Sequence, residues 1–157
     1  MGIHIRTASA ALGLIVFTSC HNPSEKPADT SRGDQSRQVI EEHFKYLNTH
    51  DLKGIVAQYA DSAKITTADR DGESYGRQGA DQMFHQMFYV SPDARYLVDD
   101  MIVTDSLVVV EYDATGLRTK ANDPVRIDLR YCSIFTIKDG KIIREATYTN
   151  PKLYHNK

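Results

Sequence analysis

Apolar residues recur at spacings of three and four in the first half of the folded chain and alternate in the second. Val39, Ile40, His43, Phe44 and Leu47 fall on one face of an expected first helix. Asp51 is placed to cap a second, shorter helix carrying Leu52, Ile55, Val56, Tyr59 and Ala60. Ala63 to Thr67 reads as a short strand and Asp69 to Gly72 as a turn. A third helix follows Gly79, with Ala80, Met83, Phe84, Met87 and Phe88 on one face, and Ser91-Pro92-Asp93 stops it.

The remainder reads as sheet. Arg95–Thr104 and Leu107–Thr119 are rich in Val, Ile, Leu and Tyr, with Asp105-Ser106 as a tight turn between them. Lys120 to Pro124 is the next turn and Val125–Ile137 the next strand; Asp139-Gly140 then makes a hairpin with Lys141–Thr149. In Val125–Ile137 the alternation puts Ile127, Leu129, Tyr131, Ser133, Phe135 and Ile137 on the inward face. In Leu107–Thr119, Val108, Val110 and Tyr112 oppose Val109, Glu111 and Asp113, and alternation alone assigns no inward face. The order α-α-β-α-β-β-β-β implies an α+β domain, a strongly bent antiparallel sheet packed against three N-terminal helices.

The chain has 157 residues, two cysteines and net charge −2, the size of one domain. So few cysteines exclude a disulfide scaffold, and the charge balance argues against a nucleic-acid partner. Residues 1–19 differ from the rest: Arg6 precedes an apolar run from Ala8 to Val16, closed by Phe17-Thr18-Ser19-Cys20. Such a run is too short to cross a ~30 Å hydrocarbon core. It resembles a bacterial lipoprotein signal, in which the cysteine after small residues is lipidated and becomes the N-terminus; Phe17 stands where an aliphatic is usual. That resemblance implies export to the cell envelope, on the periplasmic face or at the outer membrane, with membrane attachment through Cys20. Residues 20–33 hold Pro23 and Pro27 with almost nothing apolar, the composition of a tether, and the folded domain is expected over 34–157. Cys132 then has no intrachain partner and reads as a small core residue.

Tyr46 to Ala63, with Asn48-Thr49-His50-Asp51-Leu52 at its centre and Tyr59-Ala60-Asp61-Ser62-Ala63 at its end, resembles the opening of SnoaL-like domains in the nuclear transport factor 2-like superfamily. Gly76-Arg77-Gln78-Gly79-Ala80 is similar to their entry to the third helix, and Asp139 to Asn150 to their closing hairpin. The resemblance spans about Gln38 to Asn150. It implies a cone-shaped, cystatin-like fold with a pocket between sheet and helices, and dimers formed through the outer sheet. Ketosteroid isomerases of this superfamily use a carboxylate base, a first-helix tyrosine and a protonated acid on the penultimate strand. Matching phrases place Thr67, His43 and Ser133 at or near those positions, and a threonine is no general base, so steroid-type proton transfer is not expected.

The pocket-lining candidates are His43, Leu47, Tyr59, Thr67, Phe84, Tyr131, Ser133 and Thr147. Two of the chain's groups are candidates for acid/base work. Glu145 is placed inward by the family phrase, although half the alternation of its strand puts it in solvent; His43 is the other. Glu111 and Asp113 are weaker candidates. No metal-ligand spacing occurs among the six histidines, and no phosphate loop, nucleophile elbow or dinucleotide fingerprint exists, so no cofactor is expected. The expected function is binding of a small, partly apolar ligand. The rival readings are a cofactor-free isomerase, cyclase or hydratase, and a dimerising module with no working pocket.

Overall fold

The computed structural model describes residues 30–68 and 72–149. Cys20, the expected signal and most of the tether lie outside the described residues, as does Asp69. The elements are α1 (Thr30–Thr49), α2 (Leu52–Ala57), β1 (Tyr59–Thr66), β2 (Ser74–Tyr75), α3 (Gly76–Val90), β3 (Arg95–Val103), β4 (Leu107–Leu117), β5 (Ile127–Lys138) and β6 (Lys141–Thr149). They form one six-stranded sheet in the order β2-β1-β6-β5-β4-β3. All pairings are antiparallel except β1 with β6, which is parallel. A mixed sheet therefore replaces the expected antiparallel one at this single pairing.

Three boundaries differ from the sequence pattern. Helix α1 begins at Thr30, inside the stretch read as tether. Helix α2 is capped as expected, the Asp51 carboxylate accepting from the Gly54 N–H at 2.8 Å, but it stops at Ala57. Gln58 O accepts from Ile142 N at 2.9 Å, so Tyr59 and Ala60 pair with the sheet and belong to β1. Helix α3 begins at Gly76, three residues before Gly79. Gly76 has φ +61°, and a Cβ there would lie 2.3 Å from Asp61 O, so only glycine lets the chain enter α3 beside β1. Asp139 and Gly140, with φ of 52° and 70°, make the expected hairpin turn between β5 and β6.

The core lies between the concave sheet face and the helices. Ile40, Phe44 and Leu47 of α1, Ile55 of α2 and Ala80, Met83 and Phe84 of α3 pack on Val108, Val110, Phe135 and Ile142 of the sheet. Strand β5 turns the predicted face inward, with Leu129, Ser133, Phe135 and Ile137 buried. Strand β4 resolves the open question: Val108, Val110, Tyr112 and Ala114 are buried and face the helices. Glu111 and Asp113 therefore point outward, where both accept from Arg130, at 3.2 and 3.5 Å; Asp99 shares the same guanidinium. Neither acid belongs to the pocket.

Strand β6 carries an irregularity that matters for function. Thr136 pairs with Arg144 but Ile137 with Ile142, so β6 has one residue more than β5 across this step. Such a bulge shifts the inward parity along the strand. Ile142 faces the core before it, and Glu145 and Thr147 face the core after it.

Candidate functional site

A cavity opens between the concave sheet and helices α1 and α3. His43, Phe44 and Leu47 line it from α1, Met83, Phe84 and Met87 from α3, and Tyr96, Tyr112, Leu117, Tyr131, Phe135, Glu145 and Thr147 from the sheet, with Thr67 just past β1. The space open to the centre of a water-sized sphere is about 60 Å³. One water takes ~10–15 Å³ on that measure, so the cavity holds about four to six non-hydrogen atoms.

Its polar end is a chain of buried hydroxyls that terminates on a carboxylate. Tyr59 donates to Glu145 Oε2, and Thr147 Oγ1 donates to Glu145 Oε1 at 3.1 Å. Thr147 Oγ1 and Ser133 Oγ lie 2.7 Å apart, and Ser133 Oγ and Tyr112 Oη 3.3 Å apart. Because Thr147 spends its one proton on Glu145, Ser133 donates to Thr147 and Tyr112 to Ser133. All five residues are buried. Burial pushes the Tyr59 phenol well above its ordinary range, and the neighbouring Glu145 charge pushes it further. Burial raises Tyr112 likewise. Both phenols therefore keep their protons and act as donors.

His43 occupies the apolar side. Its ring meets those of Phe44, Tyr59, Phe84 and Phe135 edge-on, with centroids 5.3–6.1 Å apart. Burial in this shell lowers its pKa to about 4, against the opposing effect of its hydrogen bond with Gln58. Gln58 Nε2 donates to Val39 O at 2.7 Å, which turns Gln58 Oε1 toward His43 Nδ1 at 3.0 Å. The imidazole is therefore neutral with its proton on Nδ1, and Nε2 is an acceptor. A histidine so held cannot donate to an oxyanion as a tyrosine can.

Of the candidates read from sequence, His43, Leu47, Thr67, Phe84, Tyr131, Thr147 and Glu145 line the cavity together. Tyr59 and Ser133 do not line it; they stand behind the wall and hold Glu145 and Thr147. Thr67 Oγ1 is buried and has no hydrogen bond among the described residues. Tyr112 and Tyr96 were not foreseen. Tyr112 stacks on Tyr131 across β4–β5, centroids 5.4 Å apart and rings inclined 18°. The signal for Tyr112 was the pair of acids at 111 and 113, whose solvation turns the opposite parity inward. Among the described residues there is no cluster of three metal-ligating side chains, and no helix is long and apolar enough to cross a membrane.

No curated protein sequence matches the chain. Solved structures share its fold. SalBIII, described as an epoxide hydrolase/cyclase-like enzyme in pyran ring formation of the polyether salinomycin, is similar with TM-score 0.69 at 18% identity, over 79% of this chain and 97% of that one. Bal32a, from a soil-derived mobile gene cassette, is similar with TM-score 0.66 at 18% identity, over 76% of this chain and 92% of that one. The sequence pattern of the SnoaL-like domain matches residues 40–145, from the buried Ile40 of α1 to the carboxylate that ends the hydroxyl chain. The chain belongs to the SnoaL-like domain family.

Proposed function

We propose that the cone cavity binds a small, partly apolar molecule, or the end of a longer one, and that Glu145 exchanges a proton with it. The protein is then a cofactor-free acid/base enzyme of isomerase, cyclase or hydratase type. One observation carries this reading: a carboxylate stands in a mainly aromatic and aliphatic wall, its two oxygens held by Tyr59 and Thr147. Burying a carboxylate costs folding free energy that hydroxyl donors only partly offset, and such groups concentrate at functional sites. His43 is the weaker base, since protonation inside its aromatic shell is disfavoured near neutral pH. The epoxide hydrolase/cyclase-like description of SalBIII is of the same reaction class. A module without a working pocket is disfavoured because Met83, Phe84 and Met87 line the cavity without filling it.

Cyclopentanone tests the reading, since it has six non-hydrogen atoms, close to the room available, and acidic C–H bonds beside its carbonyl. In D₂O the wild type should bind it and accelerate its C–H exchange, and Glu145→Gln should abolish the acceleration. Binding without exchange favours a second reading, a carrier, for which Thr67 at the isomerase base position speaks. No binding of cyclopentanone or similar small ketones sinks both.

The lipoprotein-like segment ending at Cys20 supports export and membrane anchoring in the cell envelope. Cys20→Ala should move the protein from the membrane to the soluble fraction, and unchanged retention refutes the anchor. The outward Leu97 and Ile102 of β3, 60% and 61% exposed, support a homodimer through the outer sheet. Ile102→Lys should convert a sedimenting dimer to monomer, and a wild type that sediments as monomer at all concentrations rules the dimer out.

A further inference from the structure

Two hydroxyl side chains sit on the core face of the sheet, buried where apolar side chains are usual. Ser133 and Thr147 are directly paired across β5 and β6 and face the core, and Ser133 also pairs with Val110 across β4. Apolar side chains of the same shape would fill the same space, but would take the Thr147 donor from Glu145 Oε1 and the Ser133 acceptor from the Tyr112 hydroxyl. Their placement has one chemical consequence: they join Glu145 to Tyr112, which also lines the cavity.

We propose that Thr147 and Ser133 relay protons between Glu145 and Tyr112, so that a proton taken from the ligand by Glu145 returns to a different ligand atom at Tyr112. This rests on the reading of Glu145 as the acid/base group, and it makes Tyr112 a second catalytic residue with Thr147 and Ser133 as positioning residues. The proton inventory closes. The Glu145 carboxylate takes a proton from a ligand carbon beside a carbonyl, leaving an enolate. The hydroxyls turn, so that Glu145 donates to Thr147, Thr147 to Ser133, Ser133 to Tyr112 and Tyr112 to the enolate oxygen. Each O–H bond then breaks as the next one forms. The proton leaves Glu145, one arrives on the ligand oxygen, and each of the three hydroxyls has given one proton and gained one. The protons gained lie on the Glu145 side of each oxygen, which is the starting arrangement. Such a relay supplies the donor that His43 and Ser133, at the tyrosine and acid positions of the isomerases, do not supply directly to a ligand.

Among the described residues, Tyr59 from β1 donates to Glu145 and Tyr112 from β4 feels its charge, while His43 from α1, neutral near pH 7, meets the Tyr59 ring and lines the same cavity. The test follows the Glu145 side-chain carboxyl by carbon NMR through a pH titration of the full-length protein. Thr147→Val removes a donor from the carboxylate, and its proton affinity should rise about tenfold. Thr147→Ser keeps the hydroxyl and should titrate as wild type. Ser133→Ala should raise the affinity about two- to threefold through Thr147, and should do nothing in the Thr147→Val background. Equal effects of Ser133→Ala in both backgrounds, or no effect of Thr147→Val, overturn the relay. With cyclopentanone in D₂O, Ser133→Ala should slow exchange at least tenfold without weakening binding; undiminished exchange also overturns it. If wild type shows no exchange while the titration coupling holds, the acid/base reading fails and the hydroxyl coupling survives.

Discussion

His43 gives the most quantitative prediction, because its environment sets both a sign and a size. The unfolded imidazole binds a proton near pH 6.5, and the folded one only near pH 4, since the shell of Phe44, Tyr59, Phe84 and Phe135 excludes water from the charged form. The folded state is therefore the poorer proton binder. Stability from this group is fully present above about pH 6.5 and is lost as pH falls toward 4. Linkage over that interval gives a loss of about 2–3 kcal/mol by pH 4.5. Urea unfolding at pH 7.5 and pH 4.5, on wild type and His43→Gln, measures it. Glutamine keeps a donor for Gln58 but does not titrate. Carboxylates elsewhere change both proteins alike, so the wild type should lose about 2–3 kcal/mol more than the variant between the two pH values. Equal losses would show that His43 is solvated or charged in the folded protein, and the neutral Nδ1–H assignment would fall with it.

Two further substitutions probe the framework of the site. Gly76→Ala sets a Cβ against Asp61 O at a positive φ and should cost at least about 2 kcal/mol in urea unfolding; a cost below ~0.5 kcal/mol would contradict the tight entry to α3. Tyr59→Phe removes a donor from the buried Glu145 carboxylate and should cost about 2 kcal/mol at pH 7; a neutral or stabilising result would show that Tyr59 does not hold the carboxylate.

The fold was legible where periodicity is strong. The face of α1, the inward face of β5 and the Asp139-Gly140 turn follow directly from spacing and turn chemistry. Tyr59 was misplaced on a helix because its spacing from Ile55 and Val56 continues the helical period, whereas pairing with Ile142 of β6, a partner distant in sequence, draws it into β1. Glu145 shows the same limit more sharply. A regular strand with Ile142 inward puts residue 145 in solvent, and only the bulge against β5 turns it to the cavity. The hydroxyl chain lay deeper still. Its members come from β1, β4, β5 and β6, and their meeting depends on cross-strand register that no local pattern encodes.

The central claim is that the cone cavity takes a small ligand against Glu145. Titrating cyclopentanone into isotope-labelled protein in D₂O, while following ligand and protein resonances together, tests it most directly. Shift changes should concentrate at Leu47, Phe84, Tyr131 and Thr147, with exchange of the ligand's C–H protons in wild type and none above background in Glu145→Gln. Absence of those shifts, or exchange of equal rate in Glu145→Gln, would contradict it.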